Sequence, residues 1–471
     1  MDETYDVVVV GAGLAGLTAA ATAAGAGSSV LVIDRSGSEP RTADRDATWT
    51  GGAAAAVPSD GTDPDPAAAT ISDSGAAVRG GRAATDQFGR FRFNRGGHAL
   101  YRTTPGRAVL RRLGVQVTGH PPPTRGAQAR LGDRVGLLPV DARSLARTSL
   151  LGRRDKVRGA RLLAGVGRWR SDELAGLTAV EWLDQLGLDG PLRQLTEALI
   201  RLTSYVADTD VVSADLAAVQ IQAALAGSVD YLDRGWVELV DGLTAAARQR
   251  GARLEAGARV QAVVPGGDGS HIELADRWVV ARRLVLAVGT PEAAAALLPE
   301  TPRSWRRLGP PSRTACLDLG LASLLETSFL LGLDQPLYLS RHAPPGQLAP
   351  PAGALYHAML YQRRNDDPSP HDARTILGEH CRVAGIEPDQ AEESRYLHRM
   401  VTCGALPTPD SGGMRGRPGV ETGIDGVLAA GDWVGPAGHL ADAALVSGEA
   451  AGRAAVTGLA RQPTVHPVGG R

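Results

Sequence analysis

Gly11, Gly13 and Gly16, followed by Asp34, have the types and spacing needed to hold a dinucleotide. Gly11 permits a tight turn, Gly13 lets the backbone come up to a pyrophosphate, and Gly16 lets a helix pack closely on a strand. A helix starting there offers the phosphates unpaired N–H groups and its positive dipole end. Asp34 would accept hydrogen bonds from the adenosine ribose, and its charge would repel a 2′-phosphate, which argues against NADP. With 59 glycines in 471 residues, such a triplet is expected about once by chance, so the spacing alone carries little.

The elements around the glycines carry the information. Val7 to Val10 form a β-branched run of the kind buried in parallel sheets, residues 14 to 26 an alanine-rich helix, and Val30 to Ile33 a second strand ending at Asp34. Strand, glycine turn, helix, strand and acid follow in the order of a dinucleotide-binding βαβ unit. The unit does not separate NAD from FAD, since both contain ADP.

Two further stretches make that separation. "GGRAATDQFGRFRFNRGGHALY" at residues 80–101 and "GVLAAGDWVGPAGHLADAALVSGEAAGRAA" at 426–455 resemble signatures of the FAD-dependent amine oxidase, phytoene desaturase and protoporphyrinogen oxidase superfamily. "YLDRGWVELVDGL" at 231–243 resembles a segment of its desaturase-like branch, with Arg234 in place of a glycine. The resemblance implies an α/β fold: a Rossmann-like FAD domain of discontinuous segments and a second, α+β substrate domain. It places Gly81 and Arg82 beside the FAD phosphates and flavin, a role suited to a permanently charged fork of donors. It gives Gly431 and Asp432 the ribityl and pyrophosphate region, and Leu440 and Ala441 the helix start that faces the flavin pyrimidine. Val260 would meet the adenine, and Arg35 follows the ribose acid.

The expected FAD domain comprises residues 1–103, 231–300 and 412–461, and the substrate domain 104–230, mostly helical, and 301–411. Residues 35–79, rich in Ala, Asp, Ser, Gly and Pro and containing Trp49, read as a flexible insertion, and 462–471 as a disordered tail. Residues 104–141 read as turns and short strands. Strands are expected at 258–264, 282–289, 313–322, 355–362 and 395–406, and helices at 237–250 and 372–383.

No second glycine-turn unit appears, so electrons should come from an organic substrate by hydride abstraction and pass to oxygen or another acceptor. The lysine near the flavin of many amine oxidases has no clear counterpart: Lys156, the one lysine, lies in a helical stretch. The cysteine that attaches FAD in some members is missing, since the nearest string is "SGGM" at 411–414, so FAD should be held noncovalently. These absences favour a bulky apolar substrate. A flavin amine oxidase is the second reading, and a flavin-binding partner without catalysis a third. His98 and His439 are the proton-transfer candidates, and Trp236, Tyr356 and Tyr361 the candidate cavity walls. Tyr356 and Tyr361 differ by five positions and should point to opposite faces of a strand.

Net charge is −1, which gives no basis for nucleic-acid binding. Cys316, Cys381 and Cys403 have no metal or redox spacing, and no metal is expected. The N-terminus is acidic where a signal peptide is basic, and no stretch approaches the roughly 18 apolar residues of a spanning helix, so a cytoplasmic protein is expected, with peripheral membrane contact left open.

Overall fold

The structure, a computed structural model, describes residues 3–36 and 80–461; nearly all of the expected insertion, with Trp49, and the expected disordered tail lie outside the described residues. One sheet runs in the order Arg253–Ala256, Val30–Asp34, Glu3–Val10, Trp278–Leu286, Gly269–Glu273, Ala262–Gly266, and Val427–Ala429 also pairs with Trp278–Leu286. Glu3–Val10 is parallel to both neighbours, with Val7 opposite Val30 and Arg283. Parallel strands covered on both faces need apolar residues at every position, which explains four consecutive valines that are at most 5% exposed.

Helix Leu14–Gly25 covers one face of this sheet and is buried along nearly its whole length. It is packed against helix Ala441–Arg461 through residues too small to hold the backbones apart. A Cβ on Gly452 would stand 2.6 Å from the Ala19 carbonyl oxygen, and one on Gly448 would stand 2.9 Å from Thr18 Cβ.

The second sheet runs Glu393–Cys403, Ser312–Leu321, Ala354–Gln362, Leu337–Ala343, Phe329–Gly332, Ala127–Leu131, Arg134–Leu137. Its alternation sorts residues onto two faces. Leu317, Leu339, Tyr356 and Ala358 pack under helix Pro370–Val383 with Leu377 and Cys381. Cys316, Tyr338, Met359 and Tyr361 lie on the other face, together with residues from helix Gly190–Ser204. A helical layer between residues 142 and 227 closes around Trp182, Ile200 and Leu216.

The sequence expectation differs in several places. Residues 104–141 contain a helix, Pro105–Leu113, besides short strands. Its apolar stripe is only Val109, Leu110 and Leu113 among arginines, and its boundaries rest on Pro105 at the start and Gly114, at φ +79°, just past the end. The strand expected at 258–264 forms at Ala262–Gly266, and Phe329–Gly332 and Leu337–Ala343 were not expected. Among the described residues no helix is long and apolar enough to cross a membrane.

The close helix pair gives a first prediction. Gly452→Leu should lower stability by about 1–3 kcal/mol through overpacking, read as a lower urea midpoint at unchanged slope; an unchanged midpoint would show that the two helices can separate freely.

Candidate active site and cofactor cleft

The turn after the first strand is built as its chemistry requires. Gly11 has φ +103°, and a Cβ there would stand 2.5 Å from the Ala287 carbonyl oxygen. A Cβ on Gly16 would run into the Gly11 carbonyl. Gly13 instead borders open space, its nearest neighbour being the Gly80 carbonyl oxygen at 4.0 Å, and Gly81 and Gly289 have nothing within 4 Å of a Cβ position. Backbone is thus left bare on three sides of one cradle, where a pyrophosphate needs close approach. Asp34 accepts from Ala12 N at 2.7 Å and Ser36 N at 2.8 Å. Each of its oxygens keeps a lone pair for a ribose hydroxyl. These residues fit an ADP-containing cofactor.

Across the cradle, Arg82 and Asp432 form a two-pronged ion pair, with Nη1 to Oδ2 at 2.8 Å and Nη2 to Oδ1 at 2.9 Å. Arg82 also donates to the carbonyls of Thr402 at 3.0 Å and Gly289 at 3.3 Å, and Gly404 N donates to Asp432 Oδ2 at 3.0 Å. Burial works against the guanidinium charge, and Asp432 more than offsets it. The side chain of Asp432 is 2% exposed while that of Arg82 keeps 40%, so the pair opens to the cleft on its arginine side.

His98 lies in the same region. Its Nδ1 stands 2.9 Å from the Gly96 carbonyl oxygen, the Arg82 backbone also faces the ring, and the imidazole packs on Trp236 at 4.7 Å between centroids. Burial lowers its pKa to about 4, so it is neutral near pH 7. Tyr205, at φ +59° just past its helix, donates to the Gly97 carbonyl at 2.8 Å and meets Tyr361 edge-on. His439 Nε2 stands 2.8 Å from the Ser204 carbonyl oxygen, and burial again lowers its pKa to about 4.

Next to Gly96 the second sheet carries a buried polar network. Asp318 accepts from Cys316, from His357 and from Nε and Nη2 of Arg395, whose Nη1 reaches Asp86 at 2.9 Å and whose Nη2 also reaches the Asn94 carbonyl. Burial would raise the pKa of Asp318, but Arg395 and His357 overcome it and hold it at about 2. Cys316, Asp318 and His357 offer donor atoms within 4.8 Å of one another, yet the Arg395 guanidinium already engages the carboxylate. His342 stacks on Tyr231 at 3.7 Å and meets His357 edge-on.

Among the other residues singled out by sequence, Val260 is 7% exposed beside the first sheet, Arg35 is exposed, and Gly431 N donates to Ser447 Oγ at 3.0 Å. Leu440, at φ +51°, and Ala441 open the last helix and are half-buried. Tyr356 and Tyr361 lie on opposite faces: Tyr356 donates to the Thr327 carbonyl on the side of helix Pro370–Val383, and Tyr361 shares the other face with Met359. Lys156 donates to the Ala146 carbonyl at the surface of the helical layer. All three cysteines are free and buried, and Met414 of "SGGM" packs in the helical core. Sequence reasoning missed Tyr205, Asp318, His357 and Arg395; the buried acid in "CLDLGL" was the available signal.

The profile of the family described as "Flavin containing amine oxidoreductase" matches residues 77–320, and that of "FAD binding domain" matches residues 6–128. No curated protein sequence matches the chain. Similar solved structures include cyclohexylamine oxidase from Brevibacterium oxydans IH-35A, at 17% identity and TM-score 0.68 over 98% of this chain and 100% of that one. Putrescine oxidase bound to putrescine gives 15% identity and TM-score 0.68 over 97% and 99%, and an oxidoreductase from Methanosarcina mazei 18% and 0.64 over 94% and 99%.

The lopsided exposure of the ion pair predicts unequal costs. Arg82→Met leaves Asp432 buried without its counter-charge and should destabilise by about 3–5 kcal/mol, whereas Asp432→Asn leaves an arginine that the cleft can hydrate, at about 1–2 kcal/mol. Both should lower flavin content, and the reverse order of melting temperatures would contradict the assignment of the cleft to the arginine side. A second prediction concerns pH. His98, His439 and His380, which is buried on helix Pro370–Val383, have folded pKa values near 4 and unfolded values near 6.5, so the unfolded chain binds more protons between them. Their contribution is fully present above about pH 6.5 and is lost as pH falls toward 4; a urea midpoint that stays flat from pH 7 to 5 would count against it.

Proposed function

The chain belongs to the family of flavin-containing amine oxidoreductases and binds FAD, and within that family we propose that it oxidises a neutral, largely apolar organic substrate by loss of hydride from a C–H bond. The observation that carries this reading is the pairing of the carboxylates around the cleft. Asp432 is held by Arg82 and Asp318 by Arg395 and His357, so a substrate ammonium finds neither of them free. The side chains packed nearby, Trp236, Tyr205, Tyr361 and Met359, are aromatic or apolar and add no charge.

Bound FAD supplies the hydride acceptor, and electrons then pass to oxygen or another acceptor. The chain supplies binding and orientation. Gly13 and the first turn of helix Leu14–Gly25 give backbone N–H groups, Asp34 receives the ribose, and Arg82 and Asp432 fix the turn against the last strand. His98 links the backbones of Gly96 and Arg82 while adding no charge to the cleft at neutral pH. Cofactor attachment is noncovalent in this reading, because Met414 stands where a linking cysteine would be sought and is packed in the core.

A second reading, oxidation of a primary amine, is favoured by the likeness to cyclohexylamine oxidase and putrescine oxidase. Anaerobic stopped-flow separates the two: bulky neutral hydrophobic compounds should bleach the flavin, and small primary amines and polyamines should not. Fast reduction by a simple amine, with none by the apolar set, would replace the first reading by the second. Acid precipitation should release intact FAD into the supernatant; colour kept by the pellet would refute noncovalent attachment.

A further inference from the structure

A cavity of about 300 Å³ lies between the helical layer and the turn that precedes helix Ala441–Arg461. That volume is at the lower end of small-molecule sites and equals about ten waters. Val219, Ala223, Met414 and Pro436 give it apolar walls. Gln220 belongs to the same lining and is 4% exposed, yet its amide makes no hydrogen bond among the described residues. Asp442, 7% exposed, is a second incompletely used group. Its Oδ1 accepts from Gly106 N, while Oδ2 makes no hydrogen bond, though the Thr104 hydroxyl stands close enough to help hold the charge.

The charges on the walls are largely answered. Asp215 accepts from Ser213, from Leu216 N at 2.7 Å and from Met414 N at 2.8 Å. Asp172 pairs with Arg170. Burial raises the pKa of Asp442, and nearby Arg417 opposes that rise. Arg415, also on the lining, is exposed and left to solvent, and Asp442 Oδ2 is buried behind the wall, so what remains unanswered toward the cavity is the Gln220 amide, which needs a partner that both donates and accepts.

We propose that this cavity binds a neutral amphipathic small molecule whose polar head is a primary carboxamide. Its carbonyl accepts from Gln220 Nε2, one of its N–H groups donates to Gln220 Oε1, and its apolar body lies against Val219, Ala223 and Met414. Occupancy reaches the cofactor side through Arg417, which donates to the Gly438 carbonyl at 2.7 Å on the cavity wall and to the Asp432 carbonyl at 3.0 Å. The site rests on the cavity alone and does not depend on the reaction proposed above.

The test uses the purified FAD-loaded protein with benzamide, benzylammonium and benzoate as probes of equal bulk and different charge, followed by saturation-transfer NMR and calorimetry. Benzamide should bind saturably and at least about tenfold more tightly than either ion. Gln220→Leu should weaken it about tenfold, and Ala223→Trp should abolish it by filling the cavity, both with wild-type circular dichroism and flavin content. Absence of saturable benzamide binding, tighter binding of either ion, or full affinity in Gln220→Leu would overturn the proposal. Should a variant fold poorly, displacement of benzamide by cyclohexanecarboxamide but not by cyclohexane carries the same decision on the wild-type chain.

Discussion

The pair between Arg82 and Asp432 is the contact on which the rest of the architecture turns. Its partners are 350 residues apart in sequence, and the same guanidinium also binds the carbonyls of Gly289 and Thr402. One side chain therefore joins the turn at Gly80 and Gly81, the strand end after Trp278–Leu286, the last strand of the second sheet and the turn into the final helix. A planar fork with five donors can do this where a lysine cannot, because each branch has a fixed direction. Since Thr402 belongs to the second sheet and Gly289 follows the first, the pair also sets how the two sheets stand across the cleft. Arg417 repeats the device on a smaller scale between Asp432 and Gly438.

Asp318 and Arg395 do for the second sheet what that pair does for the cleft. A buried ion pair is seldom worth more than well-packed apolar residues, because two desolvated charges must first be compensated. Here compensation is extensive: the carboxylate has Cys316, His357 and Arg395, and the guanidinium also has Asp86 and Asn94. The partners come from three adjacent strands and from the segment that follows Arg82. A slip of any strand by one residue would turn its member of the network to the opposite face, so the network specifies register more than it adds stability.

The part of this fold legible in the sequence is the part whose signals are local. Val7 to Asp34 compress strand, turn, helix and acid into one stretch, and each residue type there has a single physical reason to be present. The facing of Tyr356 and Tyr361 followed from strand geometry alone. Helix Pro105–Leu113 was hidden because its three arginines equal its three buried apolar residues in number and leave no clear stripe. Phe329–Gly332 and Leu337–Ala343 escaped because they are short and buried on both faces, which removes the alternation that marks a strand. Arg82 and Asp432 were each assigned to the cofactor, but nothing in sequence says that residues so far apart meet each other first. Tyr205, His357 and Arg395 were missed for the same reason: their roles exist only once separate strands and a helix end come together.

That meeting changes how the charge of the cofactor must be handled. All four terminal N–H directions of Arg82 are taken, two by Asp432, one by Thr402 and one by Gly289, so the donor left over is Nε–H. Its positive charge is also largely cancelled by Asp432 at 2.8 Å. Arg82 is then a poor source of net positive potential and a good source of rigidity. In the proposed reading the phosphates draw instead on the backbone N–H of Gly13 and on the positive end of helix Leu14–Gly25, which has no acidic residue in its first turn to cancel it. The bare backbone at Gly13 and Gly81 is consistent with this division, since N–H groups act only at close range, and a side chain at either position would hold the phosphate away from them.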